Sequence, residues 1–212
     1  MKFVFATGNK GKLREAQEIL GPGFEILTPK DFGINDDIAE TGDTLIENSL
    51  IKARFIWDRL HVPCFADDTG LEVDALGGAP GVHTARYAAM VAEEEGRSSE
   101  GADHNFSANM DTLLAKLSQK GESATRRARF HSVVTLITPD GEVHCFDGVL
   151  DGCIAMQKAG CGGFGYDPVF IADEYPDRTV AEIPEEAKNE ISHRGKALRA
   201  MASYLKEGSG NE

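Results

Sequence analysis

Two carboxylates stand side by side, Asp67 and Asp68, where the short stretch Leu60 to Ala66 runs out and just before Gly70. A buried carboxylate loses its hydration and a second one beside it adds repulsion, so such a pair at a strand end calls for a cation. Clustered carboxylate oxygens are hard ligands that favour Mg2+, Mn2+ or Ca2+ over Zn2+. Asp67 to Gly70 also has the composition of an ordinary surface turn, and on these four residues alone the turn is the better reading. Glu40 shifts the balance, because it places a further carboxylate just ahead of a helix in the same strand-helix-strand unit.

Three other stretches carry groups suited to a charged, flat ligand. Thr7, Gly8, Asn9, Lys10, Gly11 and Lys12 offer two glycines, two lysines and a hydroxyl at the opening of a helix. Backbone N–H groups, the positive helix end and lysine together make an anion site, although the spacing is not that of a Walker loop and many strand-to-helix turns hold Gly and Asn for backbone reasons. Around Phe164, Gly165, Tyr166 and Asp167, glycines free the backbone for close approach, so an aromatic face could stack on a nucleobase; a glycine-rich hairpin with both rings in the core fits equally well. His193 and Arg194 fall in the first turn of a helix, where cations oppose the helix dipole, which an anionic ligand or an exposed basic turn would each explain.

The elements that must position these groups can be read from periodicity and caps. Lys2 to Ala6 and Phe24 to Thr28 read as strands, with Lys12 to Leu20 as a helix between them. Thr44 and Glu47 form a capping box opening a helix to about Leu60, with Asn48 and Lys52 one turn apart away from its apolar face. Gly70 to Leu76 continues the strand that carries the carboxylates. Asn105 to Lys120 is predicted helical, Arg126 to Thr138 and Glu142 to Leu150 form a hairpin around Pro139-Asp140-Gly141, and a last helix begins near Ser192 as its N-cap. The polar run from Met90 to Asp103 reads as a mobile loop (90–104) and 207–212 as a disordered tail on a single 1–212 domain. In a crossover unit the loops at the C-terminal strand ends gather at one sheet edge, so Lys12, Glu40, Asp67 and Asp68 are expected to converge.

Composition narrows the classes. With 212 residues, 41% hydrophobic and 27% charged, the chain is that of a globular protein. Its net charge of -13, from 22 Lys plus Arg against 35 Asp plus Glu, opposes non-specific binding to nucleic acid or an anionic membrane. No apolar run approaches a bilayer span, and Met1 to Ala6 is too short for a signal peptide, so a cytoplasmic location is expected. Cys64, Cys145, Cys153 and Cys161 lack metal spacing and read as reduced, mostly buried thiols.

The combined motifs resemble the inosine triphosphate pyrophosphatases. The matching pieces, in family order, are ATGNKGK (6–12), ETGDTLIEN (40–48) with Lys52-Ala53, ADDTGLEVDALGGAPG (66–81) with Ala85-Arg86-Tyr87, GFGYDPVF (163–170) and Ser192-His193-Arg194. The resemblance implies an α/β fold with an elongated mixed β-sheet flanked by helices, two lobes around a central active-site cleft, and a homodimer. It implies Mg2+-dependent hydrolysis, with Mn2+ as an alternative, of ITP, dITP or XTP to the monophosphate and pyrophosphate, removing them from the nucleotide pool. Carried over by position, Asp68 is the catalytic base and a metal ligand, with Glu40 and Asp67 supporting the metal. Thr7 to Lys12 hold the triphosphate, and Lys52, Thr69, Phe164 to Asp167, Lys188, His193 and Arg194 bind the rest of the nucleotide, Arg194 and Phe164 facing the base. Thr69 stands where the family commonly has Ser, and His83-Thr84 where Tyr-Ser is usual. A nucleotide-binding sensor on the same scaffold is the rival class; retention of Glu40, Asp67 and Asp68 together weighs against it.

Overall fold

A computed structural model describes residues 1–208. In chain order it contains β1 (Lys2–Phe5), α1 (Lys10–Leu20), β2 (Glu25–Leu27), α2 (Leu45–Leu60), β3 (Cys64–Val73), β4 (Pro80–Gly81), α3 (Tyr87–Glu94), α4 (Phe106–Gln119), β5 (Arg127–Ile137), β6 (Val143–Ile154), β7 (Phe170–Ala172), α5 (Glu185–Ile191) and α6 (His193–Gly208). The fold is α/β with a mixed sheet ordered β2-β1-β3-β5-β6-β7, β4 lying against β3. β1 is parallel to β2 and β3, whereas β7 is antiparallel to β6. The described residues divide into two compact units, one of residues 1–69, 132–149 and 192–208, the other of 70–131 and 150–191.

Strand alternation builds the first unit. Phe3 and Phe5 of β1 and Phe65 of β3 pack with Ala16 of α1 and Ala197, Leu198 and Met201 of α6, while Val4, Ala6, Cys64 and Ala66 point to the other face, against Ala53 and Ile56 of α2. Successive strand side chains alternate between faces, so parallel strands buried on both sides read as an unbroken apolar run. Helix α2 is the best-specified element: Thr44 Oγ1 accepts from the Glu47 N–H, and the Glu47 carboxylate accepts in return from the Thr44 N–H. Gly148 of β6 lets α6 come close, since a Cβ there would fall 2.0 Å from the His193 carbonyl oxygen.

The second unit has its own core, in which Leu71 and Val73, Tyr87 and Val91 of α3, Met110, Leu113 and Leu117 of α4, and Phe130, Leu150, Ile154 and Phe170 are buried together. Asn109 of α4 is wholly buried and ties down the entry to α3, accepting from the Ala88 N–H and donating to the Ala85 carbonyl at 2.8 Å each.

Several expectations are corrected. The 90–104 stretch is not loop throughout: Met90 to Glu94 completes α3, with Val91 and Ala92 buried, because its first residues belong to an apolar helix face and only the rest is polar. β3 ends at Val73, and Asp74–Leu76 forms a 3-10 turn rather than more strand. Of the four thiols only Cys64 is buried, while Cys145 and Cys161 are exposed. α6 continues through Gly208, into the tail expected over 207–212; residues 209–212 lie outside those described.

Candidate functional site

The alternation that builds the first unit also sorts its two central carboxylates. Asp67 follows Phe65 toward α1 and α6, and Asp68 follows Cys64 and Ala66 toward α2. Both are buried, yet each meets its own cations. Asp67 Oδ1 pairs with Lys12 of α1 at 3.1 Å, and its Oδ2 accepts from Arg194 Nε of α6 at 2.8 Å. Asp68 Oδ1 accepts from Lys52 Nζ of α2 at 2.8 Å, and the same ammonium donates to Glu40 Oε1 at 2.6 Å. Lys12, Glu40, Asp67 and Asp68 do come together, as two ion-pair sets on opposite faces of β3 that still feel each other's charges, rather than as one carboxylate cluster.

Their charge states differ accordingly. Burial by itself pushes the Asp67 carboxyl up, the largest single influence, but Lys12, Arg194 and Lys52 together outweigh it and hold the group well below the usual carboxylate range. For Asp68 burial wins: the carboxyl sits above its ordinary 3.8, with Glu40 adding to the rise and Lys52 and Lys12 opposing it. Burial lowers the Lys52 ammonium, yet Asp68, Glu40 and Asp67 more than restore it, leaving it raised and charged. Burial lowers Lys12 below its ordinary 10.5 against the pull of Asp67, and Lys52 and Arg194 add to that lowering.

Arg194 already has anionic partners within the protein. It is 2% exposed, and beside Asp67 its guanidinium pairs through Nη1 with Glu15 of α1 and through Nη2 donates to Thr69 Oγ1 at 3.3 Å. The cation in the first turn of α6 is thus held by protein carboxylates, which explains its place against the helix dipole. Glu15, absent from the sequence-derived set, is buried one turn after Lys12; its i,i+3 spacing from Lys12 was the available signal. Lys12 holds Asp67 directly and Glu15 holds it through Arg194, so α1 grips β3 twice at Asp67. His193 is buried beside Arg194, and Ser192 caps α6 by accepting from the Gly195 N–H at 2.9 Å.

At the opening of α1, Asn9 is the N-cap, its Oδ1 accepting from the Gly11 N–H at 2.8 Å and the Lys12 N–H at 3.2 Å, while Thr7 Oγ1 accepts from the Asn9 N–H at 3.1 Å. Part of the expected anion cradle is thus engaged internally; Gly8 and Lys10 are exposed. Thr69 Oγ1 lies 3.3 Å from Asp67 Oδ2 and 3.2 Å from Ser132 Oγ.

In the second unit the glycine-rich stretch forms a separate cluster. Asp167 Oδ2 accepts from the Phe164 N–H at 2.8 Å and from Lys188 Nζ at 2.7 Å, and that ammonium lies 4.5 Å from the Phe164 ring centroid. Gly163 is required, because a Cβ on it would fall 2.0 Å from Asp167 Oδ2. Phe164 is half-buried beside Gly165, whereas Tyr166 lies in the core at 2% exposure and donates its hydroxyl to the Thr84 carbonyl at 2.9 Å. Of the alternatives left open by the sequence, Tyr166 takes the core one.

Among the described residues no group of three or more His, Cys, Asp and Glu side chains is arranged to hold a metal ion. Mg2+ does not require one, since it binds through one or two carboxylates and completes its shell with water and phosphate oxygens. Asp68 and Glu40 meet that demand. Asp68 Oδ2 is buried without a hydrogen-bond partner among the described residues, and the Glu40 side chain is 38% exposed. Asp67, with both oxygens in ion pairs, does not offer a free ligand atom.

Comparison with known proteins is consistent along the whole length. The Ham1 family model matches residues 3–204. A protein of Porphyromonas gingivalis named dITP/XTP pyrophosphatase is 45% identical over 204 residues, covering 96% of this chain and 97% of that protein. A Thermus thermophilus protein of the same name is 43% identical, with 98% and 93% covered. Among solved structures, the Staphylococcus aureus Ham1 protein superposes with a TM-score of 0.82 at 35% identity, covering 98% of this chain and 100% of the other. A HAM1 protein from Coxiella burnetii gives 0.83 at 36%, with 98% and 99% covered. Motif order, fold and full-length identity agree, and the chain belongs to the Ham1 family.

Proposed function

We propose that this protein is a Mg2+-dependent nucleoside triphosphate pyrophosphohydrolase acting on ITP, dITP and XTP, releasing the nucleoside monophosphate and pyrophosphate. The observation that carries the reading is Asp68, a buried carboxylate with one oxygen held by Lys52 and the other unpartnered among the described residues. The names of the full-length relatives support the substrate class.

A triphosphate must be neutralised before water can attack its α-phosphorus. Lys12 and Lys52 are the cations for this in the first unit, with the α1 N-terminus adding its dipole. Asp68 and Glu40 would hold Mg2+, which when bound withdraws charge from the phosphate oxygens and acidifies water. Asp68 Oδ2, unpartnered among the described residues, is the acceptor assigned to orient the attacking water. Asp67, locked by Lys12 and Arg194, serves as the fixed counter-charge that keeps both cations in position. Phe164 and Lys188 of the second unit are assigned to nucleotide recognition, the ring as a stacking face and the ammonium as an anion partner. A homodimer and a cytoplasmic setting belong to the same reading.

The deciding experiment measures pyrophosphate and phosphate released from ITP, dITP, XTP, ATP, GTP and CTP, with Mg2+ and with a chelator. Pyrophosphate from the ITP, dITP and XTP arms in Mg2+ alone is expected. Phosphate as product, or binding without turnover, would overturn the assignment, the second result in favour of a sensor.

A further inference from the structure

Lys52 occupies the place a metal's charge would take. Its ammonium bridges Glu40 Oε1 at 2.6 Å and Asp68 Oδ1 at 2.8 Å, the two carboxylates assigned above to Mg2+. Lys52 is 6% exposed and projects from the middle of α2, a helix fixed by its capping box. We propose that Lys52 is a tethered cation that fills the Glu40 and Asp68 pair in the resting protein, competes with the divalent ion for it, and so makes metal uptake depend on the triphosphate.

The inference rests on the metal reading and follows from charge. Two carboxylates and one ammonium leave a single net negative charge; adding a divalent ion with the ammonium still in place would bury net positive charge, which is costly. A triphosphate removes that obstacle by offering the ammonium a new anionic partner. Lysine suits the role, since its four-carbon stem lets a compact charge change partners without moving the backbone, unlike a planar guanidinium. Lys12 cannot stand in for it, because its ammonium is paired with Asp67 on the other face of β3. Because binding coupling is reciprocal, the nucleotide raises metal affinity by the factor by which metal raises nucleotide affinity, and removing Lys52 should shrink that factor.

The test titrates Mn2+ alone into the full chain and counts free ion by its paramagnetic resonance signal. Lys52→Gln should bind Mn2+ about tenfold or more tighter than wild type, the scale expected when a buried competing charge is deleted. Lys52→Arg, which keeps the charge, should bind no tighter than wild type. A second measurement needs no variant: reductive methylation of wild-type lysines, read by peptide mass, should label Lys52 more strongly at saturating Mg2+, because the displaced ammonium becomes reachable. Mn2+ binding that Asp68→Asn abolishes but Lys52→Gln does not tighten, or Lys52 labelling unchanged by bound Mg2+, would overturn the competition and leave the metal reading standing. No Mn2+ binding by Lys52→Gln would overturn this inference, and no Mn2+ binding by wild type even with a non-hydrolysable triphosphate present would overturn the metal reading with it.

Discussion

Asp67 and Asp68, adjacent in sequence, point to opposite faces of β3 and hold different cations, Lys12 and Arg194 for the first and Lys52 for the second. The strand's period of two imposes the division. It gives the two carboxylates separate work: Asp67 closes an ion-pair network between α1, β3 and α6, while Asp68 keeps one oxygen unpartnered.

Replacement of each should therefore fail in its own way. Asp68→Asn keeps the shape and removes the charge, so the protein should stay folded while turnover of ITP falls by about two orders of magnitude or more, as when one electrostatic group is deleted from a transition state. Asp67→Asn should instead lower the melting temperature, since Lys12 and Arg194 lose a shared buried partner at a cost of about 3 kcal/mol or more. Thermal melts paired with turnover well below both transitions separate the two. Equal loss of activity at unchanged stability in both variants would contradict the division.

The pH dependence of stability follows from the same network. The folded-state pKa of Asp67 lies below its ordinary 3.8, so its stabilisation is fully present above that value and is lost as pH falls through the lower folded one. The melting-temperature gap between wild type and Asp67→Asn should stay constant from about pH 8 to about pH 5 and narrow in stronger acid. A gap that closes between neutrality and pH 5 would assign the effect to another group.

Much of this was legible locally. The capping box of Thr44 and Glu47 announced α2, and the apolar run up to Ala66 announced a strand, although the carboxylates expected at its end lie within β3, which runs on to Val73. The separation of Asp67 from Asp68 follows from that same alternation, but neighbouring carboxylates invite a reading as one pair. Arg194 was found and its partners were not, since Asp67 and Glu15 lie 127 and 179 residues away in the chain and no local pattern encodes such pairings. In α3 the acidic run Glu93 to Glu95 masked the buried Val91 and Ala92 just before it. Tyr166 shows the limit of composition: flanking glycines fit a stacking face and a core ring alike, and its hydroxyl contact with the Thr84 carbonyl decided the matter.

With its guanidinium held by Asp67, Glu15 and Thr69, Arg194 is expected to act as a positioning residue rather than as a reader of the base. Arg194→Ala should lose about 3 to 5 kcal/mol of stability, the cost of stranding buried carboxylates. Where the variant remains folded, kcat/KM should drop for ITP, XTP and ATP in similar proportion. A selective loss for ITP and XTP, collapsing their ratio to ATP, would return Arg194 to base recognition.

A paired glycine test asks whether the placement of α6 itself matters to the chemistry. A Cβ on Gly148 would fall 2.0 Å from the His193 carbonyl oxygen and 2.7 Å from the Ala197 amide nitrogen, so Gly148→Ala must push away the first turn of α6, where Arg194 begins its reach to Asp67. Gly152, four residues along the same strand, is equally crowded, with a Cβ 2.2 Å from the Ile171 carbonyl oxygen, but its neighbours are Ile171 and Phe170 of β7, in the second unit. Overpacking of this kind costs about 1 to 3 kcal/mol, sometimes more, so both alanine variants should melt earlier. Only Gly148→Ala should also lower kcat at a temperature where both proteins are folded, because only there does the displaced backbone carry a member of the Asp67 network. Equal kcat in the two variants would mean that the position of α6 is felt by stability alone, and that Arg194 can follow a shifted helix without releasing Asp67.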